Sequence, residues 1–503
     1  MKRELERLST GMSSPASATF LGHPRGLATL FFTEMWERFT YYGMRAVLVL
    51  FLVSAVTQGG FGIDDKTATA IYGLYTAGVY LAALPGGWIA DRLIGARRAV
   101  FIGGIGIALG NAILATSLSP RAFYLGLFVI VLGVGLLKPN VSAMVAELYP
   151  EGGARLDAGF TVFYMGINIG ATLGPFVTGE AQELIGPRAG FAAAALFMAL
   201  GVVQYHFTQH YLGTAGKPPR SGGAARGRSW LYLWLGLALS LLALAACTLG
   251  WIDVDPLRLA HFSAALIAGT AVAFFLYVFF AAGLSAEERR RALVIVVLFL
   301  GSALFWSGYE QAGSSLNLFA ERYTDRSIGA HFVIPAGWFQ SLNPAFVIIF
   351  APVVAWIWVA LAKRQLNPAA PAKFAIGVIL MGSGFLVMFG AATFVAHGSK
   401  VLPYWLILTY LLHTFGELCL SPVGLSYVTK LAPKRLVGQM MGMWFLSLSL
   451  GNLAAGLIAG EFDANNVASM PGQYLHIVYF AVGLGAVLLV LSRPVKRLMG
   501  DIE

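Results

Sequence analysis

Apolar runs of about 20 or more residues recur along the whole chain and restrict its fold more than any other feature. A helix needs roughly 20 apolar residues to cross the hydrocarbon core of a bilayer. Charged residues are only 12% of the chain, against about 25% in soluble proteins, and 58% of residues are hydrophobic. Because backbone polar groups must be satisfied within each spanning segment, we predict an all-α polytopic membrane protein.

Fourteen spans are expected, and two of them stand apart from the rest. A linker rich in Gly, Pro and Arg (213–228) and a basic break (286–291) enclose two uniformly apolar spans that we interpret as lipid-facing. Removing this pair leaves six spans before and six after, which indicates a two-bundle transporter built from repeats. The predicted spans are 27–55, 68–92, 98–118, 121–147, 156–180, 188–211, 229–250, 260–283, 292–320, 335–362, 373–397, 402–429, 436–460 and 472–492.

Positive charge predicts how the chain crosses the membrane. With the N-terminus inside, 24 of the 34 Lys and Arg residues fall in cytoplasmic segments, and both termini are then cytoplasmic. The net charge of +10 follows from this topology, so we infer no nucleic-acid partner. The expected divisions are an N-terminal tail (1–26), a six-helix bundle (27–212), the linker and inserted hairpin (213–291), a second six-helix bundle (292–492) and a C-terminal tail (493–503).

The first span carries four charges and two tyrosines that share one face of a helix at about 100° per residue. A charge at the centre of a membrane helix costs about 2.5 to 3.5 kcal/mol, so such groups face a partner or a water-filled cavity. The alternative interpretation is a salt-bridge network that only fixes helix packing, but so many polar groups on one stripe favour a transport path. The residues are Glu34, Glu37, Arg38, Tyr41, Tyr42 and Arg45.

Three further spans bear intramembrane charges at regular intervals. Lys138 lies in the fourth of the twelve helices, Glu310 in the seventh and Glu417 in the tenth, so the charged helices lead four successive triplets. In a repeat-built transporter, equivalent helices surround one central cavity. We therefore predict a binding site near the bilayer midplane. Gly308 and Gly313 flank Glu310 and predict a broken helix there.

A series of motifs follows along the whole chain. They are Glu34-x-x-Glu37-Arg38-Phe39-x-Tyr41-Tyr42-Gly43, Gly86–Gly95, Lys138-Pro139-Asn140, Phe163–Gly170, Glu310-Gln311, Phe339–Pro344, Gly416–Gly424 and Trp444-Phe445. With these motifs, the chain resembles the proton-dependent oligopeptide transporter family of the major facilitator superfamily. This resemblance implies two six-helix bundles plus two inserted helices (14 transmembrane helices) and alternating access in a bacterial inner membrane.

The resemblance also implies roles for individual residues. A di- or tripeptide is a zwitterion, so its pocket needs charges of both signs. Arg45 and Lys138 would take the carboxylate and Glu417 the ammonium group, with Asn168 and Asn343 on peptide groups. Tyr41, Tyr42, Tyr80 and Trp444 would form aromatic walls, and Ser421 and Glu310 complete the expected substrate-binding set.

Proton coupling would use the same buried carboxylates, because exchange of a cation partner changes a carboxylate's affinity for protons. We expect Glu310 to pair with Arg45 when ionised and to release it when protonated. Glu34, Glu37 and Arg38 would form a second proton-linked cluster. The expected partners are di- and tripeptides, protons and membrane lipid, with no metal, no cofactor and no obligate protein partner.

Two other functions are open. A carrier of the same fold could move another small anion, such as nitrate, or a drug, although the acidic first-helix cluster and Glu417 favour a zwitterion. An intramembrane enzyme would need a His, Asp or Ser constellation at membrane depth, whereas this chain pairs its carboxylates with cations.

Overall fold

A computed structural model describes residues 19–218, 224–329, 331–462 and 466–499, and its fold is all-α, as the sequence predicts. The first eight helices are α1 (Arg25–Val53), α2 (Asp65–Ile89), α3 (Ala96–Thr116), α4 (Pro120–Glu147), α5 (Gly153–Leu184), α6 (Ala189–Thr208), α7 (Ala224–Thr248) and α8 (Pro256–Phe280). The others are α9 (Ala286–Tyr309), α10 (Ser315–Tyr323), α11 (Leu342–Lys363), α12 (Ala370–Ala396), α13 (Tyr404–Leu431), α14 (Val437–Ala459) and α15 (Met470–Met499). A small antiparallel hairpin of β1 (Ser327–Ile328) and β2 (Phe332–Val333) follows α10.

Each of the fourteen predicted spans coincides with one helix or with the pair α9–α10. Thirteen spans in the described part of the chain are long and apolar enough to cross a membrane, and α1, with its four charges, is the fourteenth. The helix α15 continues to Met499, so the tail predicted at 493–503 begins inside a helix. Parts of the predicted tails and linker, residues 1–18, 219–223 and 500–503, lie outside the described residues. The bounds of the two bundles stay predictions.

Glycines allow α1 and α5 to touch through their backbones. Gly166, Gly170 and Gly174 recur every four residues on the face of α5 that packs against α1, and Gly43 of α1 faces Gly174 in return. A Cβ on Gly43 would lie 3.1 Å from the carbonyl carbon of Gly174. Small residues at this spacing are the usual means of close helix packing in membranes. The helix that carries the four charges is therefore tightly held.

The seventh helix of the twelve is interrupted at Glu310, as the flanking glycines predict. The helix α9 ends at Tyr309, a 3₁₀ turn covers Glu310–Gly313, and α10 begins at Ser315. The Tyr72 hydroxyl donates a hydrogen bond of 3.3 Å to the Glu310 carbonyl oxygen, so a carbonyl at the break has a partner. This break brings the Glu310 carboxylate into the interior.

The inserted helices differ in how much they contact the rest of the protein. The helix α7 is largely exposed, in agreement with the prediction that the pair faces lipid. The helix α8 instead packs along both α2 and α14, with Ala260, Ile267, Ala271, Phe275 and Val278 buried on one face. These spacings of three to seven residues mark one stripe of a helix. The interpretation of both helices as lipid-facing does not account for this buried stripe of α8, although the rest of α8 is largely exposed.

Ion pairs join the helices at the end of the structure where α1 terminates and α2 begins, which we call the distal end. Asp65, in the first turn of α2, accepts two hydrogen bonds from the Arg322 guanidinium of α10, at 2.6 and 2.8 Å. Arg326 Nη1 lies 3.3 Å from Oε1 of Glu183, which is at the end of α5. A paired guanidinium and carboxylate of this bidentate kind are held in a fixed orientation. The distal end is thus tied together by ion pairs between the first and second halves of the chain.

We expect Gly174→Val to destabilise the protein, because a side chain at this position would force α5 away from the α1 backbone. Overpacking of this kind costs about 1 to 3 kcal/mol, which lowers the midpoint of thermal unfolding in detergent. Gly236→Val in α7 is the matched control, since a Cβ on Gly236 meets nothing within 4 Å. Equal midpoints for the two variants would contradict the proposed packing.

Candidate functional site

The acidic part of the α1 stripe forms a compact buried cluster. Arg38 Nε lies 3.2 Å from Glu34 Oε1 and also donates a hydrogen bond to Glu37 Oε2. The three residues are almost fully buried. Glu34 lies one helical turn before Arg38, and Glu37 directly precedes Arg38 in the chain, so both carboxylates reach one guanidinium. One oxygen of each carboxylate has no hydrogen-bond partner among the described residues. Two carboxylates thus share one guanidinium in this cluster.

Lys138 of α4 supplies the second base. Its Nζ atom lies 4.4 Å from the centre of the Tyr80 ring, and its charge interacts with those of Glu34 and Glu37. A cation above an aromatic ring is attracted by the negative face of the ring. Two carboxylates and two cations therefore balance in this region. The predicted proximity of Lys138 to the acidic cluster is present in the structure.

Arg45 and Glu310 form a direct ion pair. Arg45 Nη1 donates a hydrogen bond of 2.6 Å to Glu310 Oε2, and each residue is 3% exposed. The pair links α1 to the break after α9, over a sequence separation of 265 residues. The contact is the one that the sequence predicts for an ionised Glu310, while its role in proton coupling stays a prediction.

Tyr41 and Tyr42 lie between the two arginines of α1. Arg38 is 5.0 Å from the Tyr41 ring centre, and Arg45 is 4.8 Å from that of Tyr42. The two rings meet edge to face at 5.2 Å. Aromatic faces stabilise cations that have little access to water. The tyrosines thus connect the acidic cluster to the Arg45–Glu310 pair through continuous contacts.

Glu417 of α13 is held by neutral groups. The Tyr309 hydroxyl and the Asn343 side-chain amide donate hydrogen bonds to Glu417 Oε2 at 2.8 and 3.0 Å. Asn343 Nδ2 also lies 3.0 Å from the Thr414 hydroxyl. Glu417 interacts through space with both Glu310 and Arg45. Asn343, predicted to hold peptide groups, therefore orients a carboxylate in this structure.

The remaining predicted site residues have local contacts. Asn168 Nδ2 donates a hydrogen bond of 2.9 Å to the Tyr164 carbonyl oxygen within α5. Trp444 is buried beside Phe374, and the Ser421 hydroxyl has no partner among the described residues. The structure thus brings Arg45, Lys138, Glu310 and Glu417 into one connected region. Among the described residues, Asn168, Trp444 and Ser421 form no hydrogen bond to that region.

Sequence reasoning missed two tyrosines. Tyr309 anchors Glu417, and Tyr72 anchors the carbonyl group of Glu310. The position of Tyr309 directly before Glu310 was the only signal for the first, and no pattern marked the second. The residues described in the structure contain no group of three or more His, Cys, Asp or Glu that could hold a metal ion.

Comparison with known proteins places this arrangement in a family. A model of the POT family matches residues 97–475. The chain belongs to the POT family. This confirms the resemblance to proton-dependent oligopeptide transporters, although the α1 motif precedes the matched region. A family of transporters also agrees with the prediction that the protein is not an enzyme.

Relatives of this POT family member match it over nearly their whole length. Peptide transporter YePEPT of Yersinia enterocolitica is 40% identical and covers 99% of both chains. The di-/tripeptide transporter of Lactococcus lactis subsp. cremoris is 35% identical, over 96% of this chain and 98% of that one. A crystal structure of a mutant peptide transporter POT in complex with alafosfalin is 40% identical, with a TM-score of 0.89 over 96% of this chain and 98% of that chain.

We expect Arg38→Met to destabilise this POT family member strongly, because it leaves the buried Glu34 and Glu37 without their cation. Breaking a buried ion pair costs about 3 to 5 kcal/mol. The measurement is the midpoint of thermal unfolding in detergent. A triple variant, Glu34→Gln, Glu37→Gln and Arg38→Met, removes every charge of the cluster and is expected to recover most of that loss. A triple variant as unstable as the single one would contradict the electrostatic explanation.

Proposed function

We propose that the protein is a proton-coupled symporter that imports di- and tripeptides by alternating access. The single observation that carries the proposal is the convergence of charges of both signs from four segments that are distant in sequence, the buried Arg45 and Glu310 and the half-buried Lys138 and Glu417. Membership of the POT family and the names of the relatives support the same function.

The proposed binding site matches the termini of a peptide. Arg45 and Lys138 bind the substrate carboxylate, and Glu417 binds the ammonium group. Charge-assisted hydrogen bonds of this kind are roughly twice as strong as neutral ones, and a dry environment strengthens them further. The wall of Tyr41, Tyr42 and Tyr80 tolerates varied side chains, because aromatic surface gives no strict shape requirement.

Proton coupling in this proposal depends on Glu310. The Arg45–Glu310 pair has both charges buried, so neither can separate without a replacement partner. Protonation neutralises Glu310, and Arg45 then becomes available to the peptide carboxylate. One charge moving through 100 mV is worth about 2.3 kcal/mol, which suffices to drive accumulation.

The proposed orientation defines the conformational state. With both termini in the cytoplasm of a bacterial cell, the distal end faces outward, and the ion pairs of Asp65 and Glu183 close it. The structure would then correspond to a state that is sealed on the outside. Opening to take up substrate requires the Asp65–Arg322 contact to separate.

Uptake into liposomes tests the function. We expect an inward acid gradient to drive accumulation of Ala-Ala and tri-Ala, and an ionophore that collapses the gradient to abolish it. Nitrate is expected not to compete, whereas unlabelled tripeptides are. Nitrate competition without tripeptide competition would instead favour the anion carrier.

We expect Glu310→Gln to abolish accumulation of peptide against its gradient while leaving counterflow exchange, because the amide cannot cycle between charged and neutral forms. Liposomes loaded with unlabelled Ala-Ala measure exchange, and an imposed acid gradient measures accumulation. Glu151→Gln is the control, since Glu151 is an exposed residue whose ion pair is with Arg155, one turn away on the surface. Full uphill uptake by Glu310→Gln would discard the coupling role.

We expect Asp65→Arg to impair uptake, because two like charges at the distal end oppose its closure. The exchanged pair, Asp65→Arg with Arg322→Asp, is expected to recover most of the lost rate, since it restores the attraction. Initial rates of Ala-Ala uptake in liposomes report both variants. Failure of the exchanged pair to exceed the single variant would show that the pairing itself is not what matters.

A further inference from the structure

Gln340 carries a buried amide that the fold does not use. It lies on the short 3₁₀ helix Ala336–Ser341 that precedes α11 and is 2% exposed. Neither its Oε1 nor its Nε2 atom has a hydrogen-bond partner among the described residues. Buried amides are nearly always paired in proteins, so an unpaired one needs a specific explanation. A ligand that supplies both a donor and an acceptor would satisfy it.

Contacts with α5 fix the depth of this 3₁₀ helix. Trp338 Nε1 donates a hydrogen bond of 2.9 Å to the Phe176 carbonyl oxygen, and the Ser341 hydroxyl donates one of 2.7 Å to the Thr172 carbonyl oxygen. The segment therefore runs antiparallel to α5, and Gln340 lies near the level of Gly174. Since Gly174 packs against Gly43, Gln340 is level with the middle of the α1 stripe.

A second contact fixes the face. A Cβ on Gly337 would lie 3.3 Å from the Ala46 side chain, so Gly337 faces α1. A 3₁₀ helix has three residues per turn and rises about 2.0 Å per residue, so Gln340 shares this face about 6 Å further along. On α1, with a rise of about 1.5 Å per residue, 6 Å corresponds to four residues. The contacts with α5 and the contact with Ala46 thus both place Gln340 near the level of Tyr42, whose ring lies beside Arg45.

We infer that Gln340 is a substrate-binding residue whose side-chain amide pairs with a peptide group of the bound di- or tripeptide. Its Nε2 donates to the peptide carbonyl, and its Oε1 accepts from the peptide N–H. A carboxamide offers the same donor and acceptor as a peptide bond. Asn343, three residues later, already donates to Glu417, so Gln340 is the amide left for substrate. This inference rests on the proposed peptide transport.

The first test compares transport with stability for Gln340→Met, a substitution of similar size. We expect the KM for Ala-Ala uptake to rise about 25-fold, the effect of losing two neutral hydrogen bonds to substrate, each worth about fivefold. The midpoint of thermal unfolding should stay constant or rise, because no internal partner is lost. Asn111→Leu is the matched control: it removes another fully buried amide, from α3, where Asn111 Nδ2 donates a hydrogen bond to the Ile107 carbonyl oxygen of its own helix.

The second test asks which atom of the substrate Gln340 contacts. Gly-Gly and 5-aminolevulinate share both termini and a carbonyl group but differ where the peptide N–H becomes CH₂. Both compounds are measured as competitors of Ala-Ala uptake. We expect Gln340→Met to weaken the binding of Gly-Gly about 25-fold, because two hydrogen bonds are lost, and that of 5-aminolevulinate only about fivefold, because only the bond to its carbonyl group is lost.

Loss of both competitors in the same proportion, an unchanged KM for Ala-Ala, or an equal rise in KM for Asn111→Leu would overturn the inference. None of these results would affect the proposed function, which depends on proton-driven uptake by the wild-type protein. Absence of that uptake would instead remove the proposed function, and this inference with it.

Discussion

The buried ion pair between Arg45 and Glu310 is the interaction on which the rest of the structure depends. It joins α1 to the interrupted helix α9–α10, and both side chains are removed from water. Desolvation of two charges is costly, and only their mutual attraction and well-placed hydrogen bonds compensate for it. Each charge therefore requires a partner at every stage of a conformational cycle. Any movement that separates them has to exchange partners, with a proton or an ionic ligand taking the vacated place.

Aromatic contacts extend this constraint along α1. Tyr41 and Tyr42 lie between Arg38 and Arg45, so each of the two cations on this helix face contacts an aromatic ring. Lys138 uses the Tyr80 ring in the same way. The field at one cation is felt at the next, because the intervening medium is weakly polar. A change of charge at Glu310 consequently alters the electrostatic environment of the acidic cluster without any movement of the backbone.

The sequence alone predicts the membrane helices and most of the charged residues of the candidate site, because the length of apolar runs and the charges within them are local signals. It cannot predict partners that depend on tertiary packing. The hydrogen bonds that Asn343 and Tyr309 donate to Glu417 form where three separate helices meet. The unpaired amide of Gln340 is visible only once its surroundings are known. Likewise, uniform hydrophobicity made α8 indistinguishable from α7, although α8 packs along two other helices and α7 is largely exposed.

The position of α8 has a consequence for how the membrane meets the moving parts. It lies along α2 and α14, which come from opposite halves of the chain. When two halves of a transporter tilt apart inside a bilayer, the gap between them is open to acyl chains from the side. Since α8 packs along both α2 and α14, its buried stripe places protein rather than acyl chains beside this flank of their junction.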